Sequence, residues 1–217
     1  MQKDFSAAWT PVALSADLPV AYVIPARIET ADVAVWRAED GTVSAVADRC
    51  PHRGMRLSHG FVRGEALSCI YHGWRYGKTG HCLAIPAHPG LRPPEAIRVT
   101  VYRVAERDGV IWVSATEEPG EAPAHEGFTG LRSITLSATA ETLAGCLNSA
   151  LRHGTIDWKI DEMKARLLTT PSSEEGILLA HLLIEAGATQ SQKRSASIAL
   201  EALRRAAEAA VKQGEAA

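Results

Sequence analysis

Four residues stand out for the chemistry their types and spacing allow: Cys50, His52, Cys69 and His72. They fall in two groups, Asp48-Arg49-Cys50-Pro51-His52-Arg53-Gly54 and Ser68-Cys69-Ile70-Tyr71-His72-Gly73-Trp74. The pattern is Cys-x-His, sixteen residues, then Cys-x2-His. Each group offers one thiolate and one imidazole. Such a set can hold a [2Fe–2S] cluster, with both thiolates on one iron and both imidazoles on the other. It can also hold one tetrahedral zinc ion. Zinc sites of this composition usually keep the cysteines together and the histidines together, whereas this chain alternates them, so the cluster is favoured. Two neutral imidazoles in place of thiolates make the cluster less negative. Its potential then lies above the roughly −400 mV of four-cysteine [2Fe–2S] proteins.

Positioning these donors requires two loops that face each other, with Arg56–Leu67 expected as a hairpin between them. The surrounding sequence supplies short β-rich runs at Ala21–Ile24, Val33–Ala38, Val43–Ala47, Glu65–Cys69, Ile97–Val104 and Val110–Ser114. Asp40-Gly41 and Asp108-Gly109 are hairpin signals between such runs. Residues 1–118 therefore read as an antiparallel β domain and 119–130 as a linker. Residues 131–217 read as a mainly helical region, giving an α+β chain. Helices are expected over Thr139–His153, Asp157–Leu168, Glu174–Ala186 (with Pro171-Ser172-Ser173-Glu174-Glu175 as its start) and Ser195–Lys212. Cys82 and Cys146 stand alone and are expected to be small buried side chains.

Of the 217 residues, 46% are hydrophobic and 22% charged, with a net charge of −2, which gives no reason to expect nucleic acid or an anionic membrane. No apolar run reaches eighteen residues, so no membrane span is expected. The first five residues lack the apolar core of a secretory signal. A reducing cytoplasm is the expected compartment, and disulfides are not expected there.

Cys50-Pro51-His52-Arg53-Gly54-Met55-Arg56-Leu57-Ser58-His59-Gly60, followed by Cys69-Ile70-Tyr71-His72-Gly73-Trp74-Arg75-Tyr76, resembles the Rieske domain of aromatic-ring-hydroxylating oxygenases and related O-demethylases. Trp9–Ser15, Gly80–Ala87 and Ile111-Trp112-Val113 extend the likeness over about residues 5–116. The resemblance implies a Rieske-type [2Fe–2S] cluster on Cys50, His52, Cys69 and His72, surrounded by Arg53, Gly54, Tyr71, Gly73 and Trp74. Rieske proteins of respiratory complexes carry an extra, disulfide-linked cysteine in each loop. Met55 and Tyr71 stand in those places here, and Trp74 replaces a serine that donates toward the cluster. Fewer donors imply a lower potential.

Oxygenases of this family also bind a mononuclear iron through Asp-x2-His-x4-His and a later carboxylate. The eight histidines are at 52, 59, 72, 81, 88, 125, 153 and 181; no two are five apart, and no Asp-x2-His occurs. Leu147–Gly154 resembles the edges of that motif with its centre removed. This suggests a shortened or degenerate catalytic domain. His153, Asp157 and His181 form a weak alternative set for a mononuclear non-haem Fe(II), should Gly154 not end a helix.

Two functions follow. One is one-electron transfer as a component of a ring-hydroxylating or O-demethylating oxygenase system; the other is a stand-alone ferredoxin-like carrier. A zinc-stabilised binding module is the non-redox alternative. The resemblance implies a ferredoxin or flavin reductase as electron donor, an aromatic small-molecule substrate and a homotrimer. Arg49, Arg53, Arg56, Arg63, Arg75 and Lys78 could guide an acidic donor to the cluster.

Overall fold

The computed structural model describes residues 8–29, 31–172, 174 and 176–215; Ser173 and Glu175 of the expected helix start lie outside them. Strands β1 (Thr10–Leu14), β2 (Tyr22–Ile28), β3 (Ala31–Arg37), β4 (Val43–Ala47), β5 (Phe61–Arg63), β6 (Ala66–Ser68), β7 (Arg75–Gly77), β8 (Cys82–Ala84), β9 (Val101–Arg107) and β10 (Val110–Ser114) make up the first part. They form a six-stranded sheet ordered β1-β10-β9-β4-β3-β2 and a four-stranded sheet ordered β5-β6-β7-β8.

Both expected hairpins are present. Asp108 and Gly109 join β9 to β10 with φ of 52° and 75°, the pair of left-handed residues that a tight primed turn requires. Strand β3 shows why this sheet is buried on both sides. Ala34 and Trp36 point into a core shared with Leu57, Leu67 and Tyr76, while Val33 and Val35 point into a second core with Val12, Ile28 and Ile111.

The second part corrects the sequence reading. The α+β class holds, but residues 131–217 are not mainly helical. Strands β11 (Phe128–Leu136), β12 (Leu151–Arg152), β13 (Thr155–Ile160), β14 (Met163–Pro171) and β15 (Leu178–Glu185) form a five-stranded antiparallel sheet ordered β11-β15-β14-β13-β12. Among the described residues the α-helices are α1 (Ala140–Cys146) and α2 (Gln190–Glu215). The stretch Asp157–Leu168 is a hairpin turning at Asp161, whose φ is 53°. Most of Glu174–Ala186 is β15.

At Glu174–Ala186 the misreading has a physical cause. Leu178–Glu185 is apolar on both faces, and such a run carries no period that separates strand from helix. Leu178, Ala180, Leu182 and Ile184 pack on α1 and α2, whereas Leu183 faces Trp9, Leu14, Val110 and Trp112 of the first part. Thr139–His153 holds one short helix, capped by Thr139 Oγ1 accepting from the Thr142 N–H at 3.2 Å. It is followed by Asn148 in a left-handed conformation and then β12. Ser195–Lys212 lies within α2, as expected. Cys82 is buried, but Cys146 is exposed at the end of α1. No described helix is long and apolar enough to cross a membrane.

Candidate metal centre

Two loops carry the four expected donors. The first leaves β4 and the second joins β6 to β7. Their backbones solve the same problem in the same way. The Cys50 N–H donates to the Met55 carbonyl and the Gly54 N–H to the Cys50 carbonyl, both at 2.8 Å. In the second loop the Cys69 N–H donates to Trp74 and the Gly73 N–H to Cys69, both at 2.9 Å. Each closing glycine has positive φ, 72° at Gly54 and 70° at Gly73, which a side chain would strain. At Gly73 an added Cβ would also press on Pro86 at 3.0 Å.

The donors separate by type. Cys50 and Cys69 are each 2% exposed and adjoin one another at the base of the loops. His52 and His72 are exposed at the tip, with ring centroids 4.6 Å apart. Trp74 stacks on His52 at 4.4 Å with the planes 6° apart, and Tyr71 lies against His72 at 4.0 Å. Desolvation, aided by His72 and Arg53, holds the His52 imidazole below its ordinary pKa, which favours the neutral, metal-binding form. Desolvation pushes the Cys69 thiol up, while the N–H groups of Tyr71 and His72 directed at its sulfur oppose that. A buried thiol pair below an exposed imidazole pair fits two irons with different ligands better than it fits one ion. Among the described residues no three His, Cys, Asp or Glu side chains converge for a single metal ion.

Tyr76 packs beneath the second loop, as its place after the ligand group suggests, but two polar contacts at the centre are not readable from the sequence. Tyr76 Oη lies 3.2 Å from Cys50 Sγ, and Tyr76 is fully buried. Asp48, buried just before the first loop, accepts from both the N–H and the hydroxyl of Ser58 at 2.6 Å. The signal for Asp48 was a carboxylate beside the Cys-x-His group. The signal for Tyr76 was an aromatic residue at an inward position of β7. The basic collar is narrower than its sequence suggested. Arg56 is tied to Asp32 at 3.1 Å, and Lys78 bridges Asp40 and Glu65.

The alternative iron set is not assembled. Its premise, a shared helix face for His153 and Asp157, fails because His153 lies in the turn between β12 and β13 and Asp157 in β13. Asp157 is bound to Arg166 at 2.8 Å. His181 is buried in β15 with Nδ1 2.8 Å from Ser133 Oγ.

Residues 8–103 match the family of the Rieske [2Fe–2S] domain. The chain carries a Rieske [2Fe–2S] domain. This bears out the resemblance read from the ligand motifs and, with it, the cluster as cofactor. The oxidoreductase NdmD of Pseudomonas putida is 44% identical over 114 residues, covering 52% of this chain and 19% of that protein. This chain spans about a fifth to a third of the length of curated relatives it matches. The likeness to solved structures runs further along it. Apo dicamba monooxygenase aligns over 94% of this chain and 86% of its own with a TM-score of 0.71 at 19% identity. NdmA of Pseudomonas putida CBB5, solved with caffeine, aligns over 96% and 82% with a TM-score of 0.70 at 18% identity. These two likenesses concern fold, and they include the C-terminal sheet.

Proposed function

We propose that this chain is the electron-carrying component of an oxygenase system, with Cys50 and Cys69 on the inner iron and His52 and His72 on the outer one. The observation that carries the reading is the segregation of buried thiols from exposed imidazoles. When bound, the cluster takes up and returns one electron. The protein's own residues do the rest. The paired turns at Gly54 and Gly73 fix the thiolates, the Tyr76 hydroxyl donates toward Cys50, and Trp74 sets the plane of the His52 ring. The exposed His52 and His72 edges are where an electron enters and leaves.

The donor is a ferredoxin or flavin reductase, drawn to Arg49, Arg53 and Arg75, and the aromatic substrate is bound by the oxygenase centre the chain serves. A component role is favoured over a stand-alone carrier by the fold likeness to monooxygenases, which runs through the C-terminal sheet. Residues 1–118 act as the cluster-bearing unit and 131–217 as the remnant of a catalytic domain, in a homotrimer.

Metal and sulfide analysis with low-temperature EPR of the reduced protein tests this. Two irons, two sulfides and a Rieske-type rhombic signal are expected. One zinc and no signal would overturn the reading. A third, sulfide-free iron would place the oxygenase centre in this same chain.

A further inference from the structure

The four-stranded sheet has an inner face packed in the core and an outer face that is not. Residues directly opposite one another across it are Phe61, Ser68, Arg75 and Ala84, and they share the outer face, because Val62, Leu67 and Tyr76 point inward. The chain after β8 folds back over this face and closes a groove of about 530 Å³ beside Gly73 of the second ligand loop. That size is ordinary for a small-molecule site.

The lining has a definite chemistry. Leu83 and Leu91, at 54% and 51% exposed, offer apolar walls, and Phe61 is 39% exposed beside them. The charged or titratable side chains in the lining are Arg63, Arg75 and His88, with no carboxylate among them. Arg63 leans over the Phe61 ring at 5.1 Å, toward the row that holds Arg75. Every ion pair found among the described residues leaves Arg63 and Arg75 unpaired, while neighbouring Arg56 and Lys78 are each held by two carboxylates. Between Phe61 and Arg75 sits Ser68, 1% exposed, whose Oγ has no hydrogen-bond partner. A buried hydroxyl without a partner is costly, and a ligand oxygen at the floor of the groove would satisfy it.

We propose that this groove binds an amphipathic small-molecule carboxylate, an acid carried on a flat apolar body. The acid sits between Arg63 and Arg75, and the body lies against Phe61, Leu83 and Leu91. Guanidinium forks suit carboxylates, and an aromatic body fits a ring already covered by Arg63.

The test uses the cluster-loaded full chain in calorimetric titrations with 1-naphthoate, with neutral 1-naphthylmethanol and with a short Glu- and Leu-containing peptide. Naphthoate should bind saturably and weaken with added salt. Removing a charge-assisted partner typically costs about tenfold or more, so both the R63Q/R75Q variant and the neutral alcohol should bind at least that much more weakly. An unchanged visible circular dichroism spectrum would show that the exposed substitutions leave the cluster domain folded. No saturable binding, equal binding of the alcohol, or an unaffected double variant would overturn the proposal. So would an acidic peptide that binds more tightly than naphthoate and displaces it, which would make the groove a polypeptide docking surface.

Discussion

Tyr76→Phe should lower the reduction potential of the cluster. The hydroxyl is buried and sits 3.2 Å from the Cys50 sulfur. Desolvation, reinforced by the hydrogen bond to Cys50, pushes its pKa far above the ordinary tyrosine value, so it remains a protonated donor at any working pH. A donor to a thiolate ligand stabilises the more negative, reduced cluster more than the oxidised one. A net hydrogen bond is worth about 1 kcal/mol. In a one-electron couple a tenfold change, about 1.4 kcal/mol, corresponds to about 59 mV, so the expected drop is roughly 40 mV. Phenylalanine keeps the ring that fills the core, so folding and cluster content should hold. A potentiometric titration followed by EPR reads the shift. Tyr102→Phe, in a different core, is the control. A potential that stays put or rises in Tyr76→Phe would refute the assignment of this hydroxyl as a donor to the ligand sulfur.

Asp48→Asn removes the charge from two 2.6 Å hydrogen bonds to Ser58 and should cost about 1–3 kcal/mol. Urea denaturation together with the iron-to-protein ratio checks it, since the first ligand loop loosens with the bond. Gly60→Ala would put a Cβ 2.1 Å from the Ser68 carbonyl oxygen, so more than about 3 kcal/mol should be lost; thermal melting and soluble yield report it. Burial pushes His181 and His125 down to about 4, with Arg166 adding to the effect at His125. The unfolded chain binds these protons near pH 6.5, before the folded one does. The imidazoles' stability contribution is therefore full above about pH 6.5 and lost as pH falls toward 4. His181→Gln should flatten the dependence of unfolding free energy on pH in that window by about one proton. An unchanged slope would contradict the burial argument.

What the sequence disclosed was local. The ligand groups, the two Asp-Gly turns, the α+β class and the glycines that close the loops all depend on residues a few positions apart. Tyr76 and Asp48 act through contacts that only the packed sheets create, so their places beside the ligand groups were legible but their bonds to Cys50 and Ser58 were not. The C-terminal sheet was lost for a different reason. Leu178–Glu185 is a central strand covered on both sides, and burial on both sides erases the alternation that identifies a strand. In Met163–Leu167 the alternation of buried Met163, Ala165 and Leu167 with Lys164 and Arg166 is present but short. Asp157 and His181 looked like partners only on the helices that this misreading supplied.

The shared packing of Leu168 and Leu183 with Trp9, Leu14, Val110 and Trp112 has a consequence for anyone who would use the cluster domain by itself. Cutting the chain near residue 118 would strip the cover from two tryptophans and leave a greasy scar on the fragment. A minimal redox cassette taken from this chain would need polar replacements at Leu14, Val110 and Trp112. Fusions and surface attachments are better anchored after α2, where nothing in that seam is disturbed.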